Sequence, residues 1–155
     1  MNTEINTVVA VVGPGAIGTT VAAALHEVSR TPLLCGRTPR DRLTLQDGNR
    51  FITVPGPVQT NPAQITRTVD LIFLAVKSTQ IDAAAEWLRA LTGPETVICV
   101  LQNGVEQLDR LATYSLPGQI VPAVVWFPAQ AQSDGSVRLR GEARLSVPDA
   151  PASRV

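Results

Sequence analysis

Thr7-Val8-Val9-Ala10-Val11-Val12 runs directly into Gly13-Pro14-Gly15-Ala16-Ile17-Gly18. The first half is a continuous apolar, β-branched run, which suits a strand buried on both faces of a parallel sheet. Past the glycines, Ile17, Val21, Leu25 and Val28 recur at spacings of four, four and three, which is one face of a helix. A glycine pattern alone also fits an ordinary strand-to-helix turn. Between a predicted strand and a predicted helix, Gly13-x-Gly15-x-x-Gly18 reads as a dinucleotide-binding turn. Gly13 allows the tight bend, Gly15 lets backbone approach a pyrophosphate, and Gly18 lets the helix pack close to the strand. The helix N-terminus then faces the anion.

Outward from that turn the chain alternates. Thr31-Pro32 ends the first helix, and Leu33-Leu34-Cys35 makes a second strand. Leu43 to Val54 reads as a β-hairpin inserted into the βαβ pattern, because Asp47-Gly48 favours a type I′ turn. Val69 to Val76 is a buried strand, Ser78 to Leu91 a helix stopped by Gly93-Pro94, and Thr96 to Leu101 the next strand. Val105 to Ala112 is a helix with Val105, Leu108 and Leu111 inward. Gln119 to Phe127 is a further strand, and Ser136 to Val147 a second hairpin turning near Gly141. Strands alternating with helices give an α/β parallel sheet covered on both faces, with right-handed crossovers. Residues 148–155 complete no element and read as the start of a linker after a domain spanning 1–147. The chain is expected to be the first domain of something longer.

The tip of the second strand chooses the nucleotide. An acid there, ~20 positions past the glycines, would bind the ribose 2′-hydroxyl of NAD. This chain has Gly36-Arg37-Thr38-Pro39-Arg40-Asp41-Arg42 instead. Arg37 can pair with a 2′-phosphate, so NADP is expected, and Arg40 and Arg42 can add to it. Asp41 lies beyond the tip. Lys77, the only lysine among 13 basic residues, directly follows a strand, and Asn103 follows the next. Ligands of open α/β sheets bind at such carboxyl ends. Asn103 also suits the N-cap of the helix at Val105. His26 sits late in the first helix and reads as a surface or packing residue. Trp87 and Trp126 read as core, with Trp126 the nearer to the ligand side.

Composition excludes several classes. The 155 residues suit one domain, and 45% apolar content supplies a core. Thirteen basic against 13 acidic residues give no surplus for neutralising phosphates, so no nucleic-acid partner is expected. No apolar run reaches the ~18 residues of a membrane span, and no secretory signal opens the chain. Cys35 and Cys99 lie in apolar runs and read as reduced thiols of a cytoplasmic protein. With His26 the only histidine, no metal site is expected.

Gly13-Pro14-Gly15-Ala16-Ile17-Gly18, Gly36-Arg37, Phe73-Leu74-Ala75-Val76-Lys77-Ser78-Thr79-Gln80 and Leu101-Gln102-Asn103-Gly104-Val105-Glu106 together resemble the ketopantoate reductase (2-dehydropantoate 2-reductase) family, in order and spacing. The inserted hairpin fits as well, and so does a hairpin near Gly135–Val147 that opens with Asp134-Gly135. The resemblance implies a Rossmann-type doubly wound, mainly parallel sheet with β-hairpin insertions. It implies NADPH-dependent reduction of 2-dehydropantoate, or a similar small 2-keto acid, on the way to pantothenate and coenzyme A. It further implies that Gly13, Pro14, Gly15, Ala16, Ile17 and Gly18 hold the pyrophosphate and Arg37 the 2′-phosphate. Lys77 and Asn103 would lie near the nicotinamide ribose and the substrate. The family's acid catalyst is another lysine, in a helical second domain absent from this chain, so the isolated chain is expected to be inactive. The expected partners are a small 2-keto acid substrate and either a second copy of this chain, as a homodimer, or a separate C-terminal domain. The alternatives are another NADP-dependent hydroxyacid dehydrogenase and a non-catalytic NADP-sensing module.

Overall fold

The computed structural model describes residues 7–101 and 106–154. In chain order the first half holds β1 (Val9–Val12), α1 (Ala16–Glu27), β2 (Leu33–Cys35), β3 (Arg42–Asp47), β4 (Arg50–Pro55), β5 (Val69–Leu74) and α2 (Ile81–Leu91). There follow β6 (Thr92–Val100), α3 (Glu106–Ala112), β7 (Gln119–Pro122), β8 (Val124–Val125), β9 (Ala129–Ala131), β10 (Val137–Leu139) and β11 (Leu145–Ser146). The main sheet has the order β2-β1-β5-β6-β7 with every pairing parallel. On the outer side of β2, Gln59 makes one parallel bridge to Cys35. Its N–H donates to the Leu34 carbonyl (2.8 Å), and the Gly36 N–H donates to its carbonyl (2.9 Å). Counted as a strand of one residue, Gln59 restores the 3-2-1-4-5-6 order of a doubly wound dinucleotide fold.

The apolar runs are explained by burial on both faces. All four residues of β1 are buried. Val11 packs with Val21, Ala22 and Ala23 of α1, whereas Ala10 and Val12 pack with Ile81, Ala84 and Leu88 of α2. Ile72, Leu74, Ile81, Leu88, Leu91 and Ile98 are fully buried on the α2 side. Truncating such a side chain to alanine typically costs about 2–5 kcal/mol, so this layer anchors the sheet. On the other face α1 is covered by a second sheet of order β4-β3-β10-β9. Leu43, Leu45, Val54, Val137 and Leu139 form its buried side.

Several local expectations are corrected. Val28 is 64% exposed rather than on the buried face of α1, because the helix closes before it. Ser29 takes φ +61°, its N–H donates to His26 O, and the Arg30 N–H donates to Leu25 O. That is a Schellman closure with serine where glycine is usual. The first hairpin pairs Asp47 with Arg50, leaving Gly48-Asn49 as the loop. Only Gly48 has positive φ there, whereas type I′ requires it at both central residues. Ser78–Gln80 is a 3-10 turn ahead of α2. β6 begins at Thr92 and runs through Gly93-Pro94, with a register shift opposite Val69 and Leu71. The Thr96 hydroxyl donates to Val69 O and accepts from the Gly93 N–H, tying that irregularity down.

The expected strand 119–127 breaks at Ala123: β7 closes the main sheet, and β8 pairs instead with β11. The hairpin expected over Ser136–Val147 does not form. β10 pairs antiparallel with β9 through the turn at Asp134-Gly135 and parallel with β3, while Gly141, at φ +94°, redirects the chain toward β11. Strands of two or three residues carry too little periodicity for their partners to be read from sequence. Pro151–Arg154 forms a 3-10 turn against β7. Val105, expected to face inward, lies outside the described residues. No helix among the described residues is long and apolar enough to cross a membrane.

Candidate functional site

The carboxyl ends of β1 and β5 adjoin where the strand order reverses, which is where open α/β sheets bind ligands. At the end of β1, Gly13 turns at φ +88°, with its N–H on the Cys35 carbonyl (2.9 Å). A Cβ at Gly13 would stand 2.6 Å from Val76 Cγ1, so the turn presses directly on the end of β5. A Cβ at Gly18 would collide with the Gly13 carbonyl, so α1 is seated against the turn. Gly15 is the opposite case: a Cβ there meets nothing within 4 Å. It is the N-cap of α1, no side chain caps the helix, and no acid lies in its first turn. The free N–H groups and the positive end of the helix dipole are therefore left for an outside anion.

A cleft of about 420 Å³ opens there. Gly13, Pro14, Gly15, Ala16 and Ile17 form its floor, and Gly36, Arg37, Thr38 and Arg40 line one side. Lys77, Gln80, Ala83, Ala84 and Trp87 line the other. Arg37 and Lys77 are both exposed. Among the described residues the cleft thus carries three cationic side chains and no Asp or Glu. Lys77 is set by its backbone: Gln80 Oε1 accepts from the Lys77 N–H (3.3 Å), and the Gln80 N–H donates to Lys77 O (2.8 Å). Arg110 braces the same turn by donating to Ser78 O at 2.7 Å.

The structure therefore gathers Gly13, Pro14, Gly15, Ala16, Ile17, Arg37 and Lys77 into one cleft, with Gly18 beneath it. Asn103 lies outside the described residues. Arg42 opens β3 and does not line the cleft. Thr38, Gln80, Ala83, Ala84 and Trp87 were not foreseen as lining. The signal was present in the helical spacing of Ala83, Ala84 and Trp87, which places them on one face of α2. Trp87 is buried core as expected and lines the cleft as well. Trp126 is 59% exposed, not core, with its indole N–H on Ser146 Oγ (2.8 Å) and no place in the cleft. His26 pairs with Thr31 Oγ1 (2.7 Å), away from the cleft. Burial pushes the Cys35 thiol up to about 12 and Cys99 to about 11, so neither serves as a thiolate nucleophile near neutral pH.

A sequence model described as "Ketopantoate reductase PanE/ApbA" matches residues 9–152. A relative named 2-dehydropantoate 2-reductase, from Mycobacterium tuberculosis, is 53% identical over 146 residues, covering 94% of this chain and 50% of its own length. The solved dimeric ketopantoate reductase from Staphylococcus aureus superimposes with a TM-score of 0.78 at 29% identity, over 94% of this chain and 49% of that one. D-Mandelate dehydrogenase, solved with NADH and anilino(oxo)acetate, shares the fold at TM-score 0.80 and 20% identity, over 94% of this chain and 50% of its own. The chain spans about half the length of the curated relatives it matches. Matched by the family model over most of its length, and identical to a relative at more than half of the aligned positions, the chain belongs to the ketopantoate reductase family.

Proposed function

We propose that this chain is the NADPH-binding half of an oxidoreductase that reduces 2-dehydropantoate, or a similar small 2-keto acid, to the 2-hydroxy acid. The observation that carries the reading is Arg37, at the tip of β2, in a cleft that among the described residues holds cations and no carboxylate. The fit to a dinucleotide is local and physical. The space above Gly15 would be filled by any side chain, and an uncapped helix N-terminus faces it. When bound, the cofactor supplies the hydride. Gly13, Pro14, Gly15, Ala16 and Ile17 would hold its pyrophosphate, and Gly18 keeps α1 close enough for the N–H groups to reach it. Arg37 would pair with the 2′-phosphate, which NADH lacks. Lys77, past the end of β5, would orient the nicotinamide ribose and the keto acid, a role the family resemblance extends to Asn103. The proton for the developing alkoxide comes from a lysine outside these 155 residues, in the helical second domain.

The test compares binding with turnover. The 155-residue chain is expected to bind NADPH, yet to show almost no 2-dehydropantoate-dependent oxidation of it. Loss of general acid catalysis alone typically costs 10²–10⁴-fold, and lost substrate positioning adds to that. Supplying the C-terminal half, in one chain or in trans, should restore the rate. Absence of NADPH binding would overturn the proposal. Robust turnover by the chain alone would place the acid within residues 1–155, with Lys77 the first suspect.

A further inference from the structure

We propose that Arg40 is a second phosphate-binding cation of the cleft and that Gly135, in the β9–β10 turn, is its positioning residue. The inference rests on the NADPH reading above and deepens it. Of Arg37, Arg40 and Arg42, only Arg37 and Arg40 line the cleft. Arg40 is held at both ends. Its carbonyl accepts from the Val58 N–H (2.8 Å), and its guanidinium Nη1 donates to the Gly135 carbonyl (3.2 Å).

Gly135 lies 95 residues from Arg40 in sequence, on a hairpin that contributes no strand to the main sheet. Its φ is +89°, a backbone that favours glycine, and a Cβ there would push the flexible end of Arg40 aside. The turn is closed on itself, because Asp134 Oδ1 accepts from the Ser136 N–H (2.9 Å) and hydroxyl (2.6 Å). No carboxylate forms a salt bridge with Arg40 among the described residues. A guanidinium has five N–H donors in a fixed fork. One bond to a carbonyl restrains the side chain without neutralising it and leaves donors for a phosphate. The second sheet thus reaches over α1 to hold in place an arginine of the cofactor loop.

The test is a titration of NADPH and NADH against the wild type, Arg37→Ala, Arg40→Ala, Gly135→Ala and the Arg40→Ala/Gly135→Ala double variant. Removing one charge-assisted phosphate contact should weaken NADPH by roughly tenfold in Arg40→Ala and leave NADH nearly unchanged. Gly135→Ala should weaken NADPH alone, and should cost nothing further once Arg40 is gone, which general damage to the turn would not reproduce. If Gly135→Ala does not fold, Arg40→Ala decides by itself. An unchanged NADPH-to-NADH ratio in Arg40→Ala, with a lowered ratio in Arg37→Ala, overturns this inference and leaves the NADPH reading standing. A wild-type ratio near one removes that reading, and this inference with it.

Discussion

Gly15→Val separates binding from folding, because Gly15 is the floor glycine with open space around it. A Cβ there meets no protein atom within 4 Å, so the valine side chain projects into the cleft rather than into the core. Gly15 sits at φ −80° and ψ −150°, extended backbone with a negative φ that does not itself demand glycine. The cost to the fold is a poorer N-cap, about 1 kcal/mol, which for a domain of this size lowers the melting temperature by roughly 2–4 °C. The cost to binding is much larger. The new methyl groups occupy the space above the helix N-terminus and hold a pyrophosphate away from its N–H groups. Two lost hydrogen bonds to a charged group, at about 1.5–3 kcal/mol each, amount to roughly 3–6 kcal/mol. That is a loss of about 10²–10⁴ in affinity. Nicotinamide fluorescence titration and a thermal melt on the same sample read both quantities. A near-normal melt with unchanged NADPH affinity would refute the placement of the pyrophosphate over Gly15.

Gly18→Ala should do the reverse in a melting experiment: its Cβ collides with the Gly13 carbonyl, and forced overpacking of this kind costs about 1–3 kcal/mol. An unshifted melting temperature would contradict the seating of α1 on the turn. A second expectation concerns pH. The buried thiols of Cys35 and Cys99 stay protonated to about 12 and about 11 in the fold, against an ordinary 9.0. Above pH 9 the unfolded chain therefore holds fewer protons than the native one, and stability falls as pH rises toward 11. Denaturant midpoints should show a shallower decline in Cys35→Ala than in the wild type, and parallel profiles would count against the burial effect.

The main sheet was legible because β1 and β2, and the later parts of β5 and β6 (Leu71–Leu74 and Val97–Val100), are apolar runs, a pattern that arises when both faces are covered. The cleft floor was legible for a related reason: Gly13 and Gly18 are forced by contacts within the strand–turn–helix unit, so their spacing records the geometry. Arg37 and Lys77 were found from their positions at strand tips. What stayed hidden depends on long-range partners. Ser29 closes α1 in a conformation usually marked by glycine, and nothing in its neighbours announces it. β8, β9, β10 and β11 are two or three residues each; β9 and β10 join the second sheet while β8 and β11 pair with each other, and no local pattern announces either partnership. The single bridge at Gln59 leaves no strand-like run to detect. Trp87 belongs to core and cleft at once, a double role that hydrophobic spacing cannot reveal.

Equilibrium titration of NADPH and NADH against the wild type and Arg37→Ala tests the central claim most directly, because Arg37 is the cation at the strand tip where an NAD-binding chain would carry an acid. Losing a charge-assisted phosphate contact costs roughly 1.5–3 kcal/mol. The wild type should therefore prefer NADPH, and Arg37→Ala should weaken NADPH by about tenfold or more while leaving NADH nearly unchanged. Equal losses for the two cofactors, or a wild type that binds NADH as tightly as NADPH, would contradict the assignment of this cleft to a 2′-phosphorylated dinucleotide.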